Sequence, residues 1–295
     1  MMWAIACFFN PAGYANKLEN LKRFRESSKR QGLKLLLVEL AFGDKAFEVP
    51  GDVADIIVRR RTSSVLWQKE RLLNIGLAHL PTIETVAWID GDILFENDDW
   101  IGTAERLLQQ FPVVQLFDTA AWLDPNGKIE RSEHGTAYEK ALGEKDVVSA
   151  HSGFAWAARV SLLKKHGFYD RDIVGAGDAH MAYAMWDEWQ SWGGLEWRQL
   201  FYTPEHLADI DKWSKAFYDD VRGNVSYVPG KVFHLWHGTQ ENRDYLNRYI
   251  AVKNQGYDPT TDLRIGESGC WEWASEKPEL HRSVREYFTL RMEEG

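Results

Sequence analysis

The sequence predicts an α/β protein with a mixed, mainly parallel sheet flanked by helices. Short apolar runs alternate with amphipathic segments from the start of the chain, as in Met2 to Phe9 followed by Tyr14 to Gln31. Polar residues also come directly after apolar runs, and Asp90-Gly91-Asp92 is the clearest case. Alternation of this kind favours strands that are buried between helices.

The first part of the chain contains most of this alternation. Leu18, Leu21 and Phe24 recur at helical spacing, and Gly32 ends that helix. Strands are predicted at residues 2–9, 33–40, 55–58, 85–89 and 112–117, with a further apolar run at 93–95, and helices at 14–31, 66–80 and from a cap at Asn97 or Asp98 to about Gln110.

The second part keeps the α/β character after a polar stretch. Leu123 to Asp146 is polar and contains turn dipeptides, which predicts a long surface excursion. Strands are then predicted from Val147 and at 225–236, and helices at 160–166, 178–189, 205–218, 242–252 and 279–292.

Composition narrows the classes of function. The chain has 295 residues and a net charge of −9, which argues against nucleic acid or an anionic membrane surface as the main partner. Its two cysteines are too few for a disulfide framework, and its early apolar run is too short to span a bilayer. We therefore expect a cytoplasmic protein without a transmembrane segment. The 14 Trp, 14 Phe and 11 Tyr residues weakly favour flat ligands such as sugars or bases.

Asp90-Gly91-Asp92 is the main candidate for a metal site. It follows an apolar strand, at the edge where open α/β sheets bind ligands. Glycine allows a tight turn, so that both carboxylates can face one hard cation bound to phosphate oxygens. The alternative is a solvated turn.

His234-Leu235-Trp236-His237-Gly238 ends the last strong strand. Positions three apart in an extended strand point to opposite faces, so we expect only one of His234 and His237 to reach a metal unless the chain bends. The other histidine would then pack or line the acceptor side. A buried, hydrogen-bonded histidine is the alternative for either ring.

Gly175-Ala176-Gly177-Asp178 precedes a helix. Two glycines allow a ligand to approach closely, and a carboxylate beside a bound sugar could deprotonate an acceptor hydroxyl. Asp178 could equally be a plain helix N-cap. His180, in the same first turn, is a secondary candidate.

These three segments, in this order, resemble the landmarks of nucleotide-sugar glycosyltransferases of the GT-A fold, family 2-like and with an Asp-x-Asp motif. The resemblance covers roughly Met1 to Val252. It implies a metal-dependent hexosyltransferase that moves a sugar from a nucleoside-diphosphate donor, expected to be a UDP-sugar, to a hydroxyl of a glycan or other acceptor. The lone carboxylate of Gly177-Asp178-Ala179 departs from the paired acids of many inverting relatives, which leaves the expected inversion open.

The resemblance also implies roles for individual residues. Mn²⁺ or Mg²⁺ would be bound by Asp90 and Asp92 with His234 or His237, and Asp178 would be the base. The implied donor contacts are Asp90, Glu39, Lys69 and Asn74. The implied domains are a catalytic unit at 1–252, divided into a nucleotide-sugar half (1–120) and an acceptor half (121–252), and a C-terminal extension at 253–295.

Two other classes of protein stay open at this stage. A nucleotidyltransferase would share the sheet and the acidic metal site, but Asn10 to Tyr14 lacks the basic, glycine-rich phosphate loop expected after its first strand. A non-catalytic glycan-binding protein would explain the tryptophans without a metal.

Overall fold

The computed structural model describes residues 2–143, 150–189, 194–239, 242 and 247–294. The strands are β1 (Trp3–Phe9), β2 (Lys34–Phe42), β3 (Ile56–Thr62), β4 (Thr85–Ile89), β5 (Ile93–Phe95), β6 (Val113–Gln115), β7 (Thr119–Leu123), β8 (Ile129–His134), β9 (Ala155–Arg159), β10 (Val225–Tyr227), β11 (Lys231–His234), β12 (Leu263–Ile265) and β13 (Trp271–Trp273). The helices are α1 (Ala15–Arg30), α2 (Lys69–His79), α3 (Trp100–Leu108), α4 (Thr136–Ala141), α5 (Val160–His166), α6 (Gly177–Met185), α7 (Gly194–Arg198), α8 (Pro204–Val221), α9 (Asn247–Asn254) and α10 (Pro278–Leu290).

The main sheet has the strand order β10-β6-β9-β4-β1-β2-β3. Its β3, β2, β1 and β4 strands are parallel neighbours, and β9 runs antiparallel between β4 and β6. The prediction of a mixed, mainly parallel sheet flanked by helices is confirmed. Because β1 and β4 are parallel, their carboxyl ends meet at one edge, where Asp90 follows β4.

Side chains alternate between two cores across the main sheet. Ile5 and Phe9 of β1 pack into one core, and Ala4 and Phe8 pack into the other. Helix α2 covers the first core and α1 covers the second. Burying each large aliphatic side chain contributes about 1.5–3 kcal/mol. The near-continuous apolar sequence of β1 and β2 is therefore explained by burial on both faces.

A smaller sheet, ordered β5-β11-β7-β8, lies beside the carboxyl edge of the main sheet. The predicted surface excursion over Leu123 to Asp146 is largely at the surface, but it forms a hairpin and a helix over most of its described part instead of a loop. β7 and β8 form a hairpin whose turn is closed by Asp124, which accepts backbone hydrogen bonds from Asn126 and Lys128. α4 follows the hairpin. Residues 144–149, including the predicted strand start at Val147, lie outside the described residues.

Three other predicted elements differ from the structure. The strand predicted at 225–236 is two strands, β10 and β11, which belong to different sheets. Pro229 and Gly230 separate them, because Gly230 has φ +133°. The N-cap of α3 is Asp99 rather than Asn97 or Asp98. Residues 243–246 of the helix predicted at 242–252 lie outside the described residues, and the remainder from residue 247 belongs to α9.

Residues 253–294 contain the β12–β13 hairpin and then α10. The buried residues of α10, Leu280, Val284, Tyr287 and Phe288, belong to the same core as β1 and α2. None of the helices in the described ranges has both the length and the apolar character that a membrane crossing needs. The domain boundary after residue 252 stays a prediction.

Candidate active site

A cavity of about 420 Å³ opens at the carboxyl edge of the main sheet. Asp90, Gly91 and Asp92 form part of its wall directly after β4. Asp90 N donates to Phe154 O (2.8 Å), which fixes the turn to the start of β9. The predicted position of the Asp-x-Asp segment, at the ligand-binding edge of an α/β sheet, therefore agrees with the structure.

Asp92, His234 and His237 bring donor atoms within 4.8 Å of one another, and they are the one such group of three found in the described part of the chain. His237 Nε2 lies 3.0 Å from Asp92 Oδ2 and 3.0 Å from His234 Nε2, and His234 Nε2 lies 3.8 Å from Asp92 Oδ2. β11 pairs antiparallel with β5, so that His234 lies opposite Ile93, and Leu235 N donates to Asp92 O (2.9 Å). The pairing of β11 with β5 thus places both histidines close to Asp92.

The expectation that the two imidazoles diverge is wrong. It assumed an extended chain from His234 to His237, but β11 ends at His234 and the next three residues are not in a strand. Both rings consequently face the same point. His234 also stacks on Phe154, with ring centroids 4.8 Å apart.

The chemistry of this donor set fits a divalent transition metal. One carboxylate and two imidazoles suit Mn²⁺, Fe²⁺ or Zn²⁺, whereas Mg²⁺ prefers oxygen ligands throughout.

Asp90 turns away from this group toward Lys69. Lys69 Nζ lies 2.6 Å from Asp90 Oδ1 and donates to both oxygens of Asp178, at 3.1 and 2.9 Å. The expectation that Asp90 and Asp92 face one cation therefore differs from the structure, because a buried ammonium group already holds Asp90. Lys69, from the first turn of α2, instead joins the Asp-x-Asp segment to the start of α6.

Burial and charge shift the pKa values around Lys69. Burial by itself would lower the pKa of Lys69, but the neighbouring carboxylates Asp178 and Asp90 raise it well above its usual value. Burial raises the pKa of Asp90 to about 6 despite the opposing effect of Lys69. Burial likewise raises the pKa of Glu70 to about 8, again against Lys69 and with Asp178 adding to the increase. These carboxyl groups thus compete for one cation.

Asp178 is not the N-cap of α6. The N-cap is Ala176, in the left-handed region at φ +106°, and Asp178 is the second residue of the helix. Its carboxylate lines the cavity. Tyr183 and Tyr202 line the same cavity from α6 and the loop before α8. The predicted alternative of a plain cap is therefore excluded by geometry, whereas the catalytic role stays a prediction.

His180 lies two residues further along α6, in the same first turn, and is almost fully buried. Its Nε2 is 2.8 Å from Asp172 Oδ2, and His206 Nε2 lies 3.3 Å from the other oxygen of Asp172. Two imidazoles hold the pKa of Asp172 below its usual value, against the effect of burial. This group links the glycine-bearing loop to α6 and α8.

Glu39 and Asn74 are not among the residues that line the cavity. Glu39 is buried in β2, where it accepts hydrogen bonds from Val49 N (2.9 Å) and Arg59 Nε (3.1 Å). Asn74 donates to Phe168 O (3.0 Å). The structure gives both residues internal partners outside this cavity, and their role as donor contacts stays a prediction.

The sequence interpretation missed wall residues from two segments. The β7–β8 hairpin contributes Trp122, Arg131 and Glu133, and residues 291–293 contribute Arg291 and Glu293. Glu293 Oε1 lies 3.6 Å from His237 Nδ1, and Glu293 Oε2 lies 3.3 Å from Lys17 Nζ. Lys17, His237 and Arg291 hold the pKa of Glu293 below its usual value despite burial, which alone would raise it. No local pattern marks these residues, since they reach the cavity only through folding.

Comparison with known proteins gives low similarity. Neither a family model nor a curated protein matches the sequence. Among solved structures, S. aureus TarS (residues 1–349) with UDP-GlcNAc has a TM-score of 0.44 at 13% identity, over 87% of this chain and 67% of that chain. Glucosyl-3-phosphoglycerate synthase from Mycobacterium tuberculosis, with Mn²⁺, UDP and glucosyl-3-phosphoglycerate, has a TM-score of 0.44 at 11% identity, over 87% and 79%.

A third structure is the mannosyltransferase PcManGT from Pyrobaculum calidifontis with GDP-Man and Mn²⁺. It has a TM-score of 0.45 at 17% identity, over 86% of this chain and 61% of that chain. These scores and identities are low, and function is therefore inferred from the geometry of the site.

Proposed function

We propose that the protein is a Mn²⁺-dependent glycosyltransferase that moves a sugar from a nucleoside-diphosphate donor to an acceptor hydroxyl, with inversion. The observation that carries the proposal is the Asp92, His234 and His237 group, which lies in one cavity with Asp178. The order of the contributing segments, which resembles that of GT-A glycosyltransferases, supports the same reaction. The cavity volume is within the range of small-ligand sites.

Each group in the cavity has a proposed task. Asp92, His234 and His237 would hold the metal, which when bound supplies positive charge for the leaving diphosphate. Asp178 accepts the proton of the acceptor hydroxyl as its oxygen bonds to the anomeric carbon and the sugar–phosphate bond breaks. The diphosphate leaves with the electron pair of that bond. Lys69 and Asp90 remain the proposed donor contacts.

Lys69 keeps the proposed base in place. It donates to both oxygens of Asp178, which holds the carboxylate in its position in the cavity wall. Tyr183, Tyr202 and Trp67 line the same cavity and would exclude water from the transferred sugar. Sugar rings pack well on such aromatic faces.

The donor set also favours one metal. Two imidazoles and one carboxylate suit Mn²⁺ better than Mg²⁺, which binds nitrogen poorly. At equal concentrations, we expect Mn²⁺ to support more transfer than Mg²⁺. Initial rates measured across a metal series will check this, and equal rates with both ions would contradict the proposed ligand set.

The melting temperature tests the proposal before the sugar is known. We expect UDP or GDP to raise the melting temperature in the presence of Mn²⁺ and not with a chelator, because bound ligand stabilises only the folded state. Asp92→Asn should abolish the shift. A shift caused by a glycan alone, independent of nucleotide and metal, would indicate a glycan-binding protein. A screen of nucleotide sugars for metal-dependent hydrolysis then identifies the donor.

A further inference from the structure

The last described residues, 291–294, form a C-terminal tail that is fixed to the start of α1. Tyr14, the N-cap of α1, makes no side-chain cap hydrogen bond, and the first turn contains no acidic residue. Glu294 supplies the missing acceptor, since Oε1 accepts hydrogen bonds from the backbone N–H groups of Ala15 and Asn16. Asn16 Nδ2 donates in turn to Glu293 O. The tail therefore caps α1 from outside the helix.

This anchoring brings Glu293 into the protein interior. Glu293 is only 2% exposed, and its Oε1 accepts a hydrogen bond from Arg291 Nε (2.6 Å). Lys17 balances the other oxygen at 3.3 Å. A carboxylate is buried at this place only because cations surround it.

Glu293 faces the nitrogen of His237 that points away from the metal-binding group. His237 Nδ1 lies 3.6 Å from Glu293 Oε1, whereas Nε2 lies 3.0 Å from Asp92 Oδ2. A negative charge on the Nδ1 side favours the tautomer with its proton on Nδ1, which leaves the Nε2 lone pair toward Asp92 and His234. A carboxylate in this position is a common support for metal-binding histidines.

The backbone of the tail also contacts the chain next to His237. Gly238 has φ +87°, and a Cβ at this position would lie 2.8 Å from Met292 O and 2.9 Å from Glu293 Cα. Glycine thus allows the tail to pack against the segment that carries His237. The position of Glu293 beside His237 therefore depends on this close packing of the C-terminal tail against Gly238.

We propose that Glu293 is a positioning residue for His237, so that docking of the C-terminal tail completes the metal-binding group. This inference rests on the metal site of the proposed function. By linkage, tail docking and metal binding strengthen each other by the same factor. The C-terminal tail is thereby part of the site rather than an appendage.

The dissociation constant of Mn²⁺, measured without nucleotide from the electron paramagnetic resonance signal of the free ion, tests the proposal. Glu293→Gln keeps the size of the side chain and removes its charge, and we expect about tenfold weaker Mn²⁺ binding. Glu294→Gln is the matched control, because it removes the neighbouring charge while its amide oxygen can still accept the hydrogen bonds from Ala15 and Asn16 that dock the tail. With the tail still docked, the dissociation constant should be unchanged. Equal weakening by both variants would overturn the specific role of Glu293.

A double-mutant cycle separates positioning from a general structural effect. In a His237→Ala background, Glu293→Gln should weaken Mn²⁺ binding no further, because its effect passes through His237. Additive losses would overturn the proposal. If Asp92→Asn abolishes Mn²⁺ binding and Glu293→Gln binds like the parent protein, only this inference fails. If the parent protein binds no Mn²⁺, the metal site of the proposed function fails with it.

Discussion

Asp178 and Lys69 form the ion pair on which the proposed chemistry depends most directly. Lys69 lies within 3.1 Å of both Asp178 oxygens and within 2.6 Å of Asp90. The lysine reaches this position from α2, whereas the two aspartates come from the turn after β4 and from the start of α6. One cation therefore organises two segments that are far apart in the sequence.

Asp178→Asn tests the role of this carboxylate. The amide keeps hydrogen-bonding capacity and loses basicity, so we expect donor binding to persist while turnover falls by about 10²-fold or more. Turnover number and the melting shift with UDP and Mn²⁺ measure the two effects separately. Asp170→Asn is a suitable control, since Asp170 accepts from Asn74 Nδ2 (2.9 Å) and does not line the cavity. Parental turnover in Asp178→Asn would rule out its role as base.

His234 and His237 should behave alike when replaced. Both Nε2 atoms face Asp92, so His234→Ala and His237→Ala should each raise the Mn²⁺ concentration for half-maximal activity by about tenfold. A Mn²⁺ titration of initial rates gives this value, with exposed His79→Ala as the control. A shift in only one of the two variants would show that the other ring merely packs in the core.

At the scale of elements, the end of β11 and the C-terminal tail meet at Gly238. Gly238→Ala would place a methyl group against the tail backbone at a left-handed φ. Gly256→Ala has a comparable φ of +64° with open space around the Cβ position, so it reports the backbone strain alone. We expect Gly256→Ala to cost about 1–2 kcal/mol and Gly238→Ala to cost clearly more. Denaturant unfolding measures the free energy of unfolding of both variants. Equal decreases would mean that the tail can move away from the added methyl group without destabilising the protein.

The hairpin of β7 and β8 contributes residues to the cavity wall, although the polar sequence of β8 did not predict a strand. β8 is mostly exposed, so its residues lack the alternation that marks a half-buried strand. β7 is buried and pairs with β11, which places Trp122 opposite His234. Arg131 covers the Trp122 ring from β8, with its guanidinium carbon 3.6 Å from the ring centroid. The hairpin thus forms a wall of the cavity next to the metal-binding group.

At the scale of the whole molecule, the buried carboxyl of Glu70 links global stability to pH. Glu70 packs against Gly177, where a Cβ would overlap its carboxyl group. Its pKa is raised from 4.5 to about 8, mainly by burial. Between these values the unfolded chain has lost the proton that the folded protein keeps. The contribution of protonated Glu70 to the free energy of unfolding is therefore complete below the pKa of the unfolded chain, and it is lost as the pH rises through the pKa of the folded protein.

Glu70→Gln should remove this dependence. In the presence of a chelator, the free energy of unfolding of the parent protein should fall relative to that of the variant across this window. The slope of the difference should reach at most about 1.4 kcal/mol per pH unit. Urea titrations at several pH values measure it, and exposed Glu19→Gln controls for the change in net charge. Parallel pH profiles for parent and Glu70→Gln would contradict the raised pKa.

The sequence by itself determined the fold class and the Asp-x-Asp position. Apolar runs such as β1 and β4 are local signals, because burial on both faces leaves few polar positions in a strand. The position of the Asp90 to Asp92 turn could be predicted for the same reason, since the turn begins where the apolar run of β4 stops. Helical periodicity likewise marked α1, where Leu18, Leu21 and Phe24 recur at helical spacing.

Only the tertiary structure decided which side chains share the cavity. The convergence of His234 and His237 depends on where β11 ends, and the pairing of Lys69 with Asp90 and Asp178 depends on the meeting of the first turns of α2 and α6. Glu293 reaches His237 from the far end of the chain through contacts with α1. Such contacts join residues that are distant in sequence, and periodicity and spacing report only on neighbours within a few turns or strand positions.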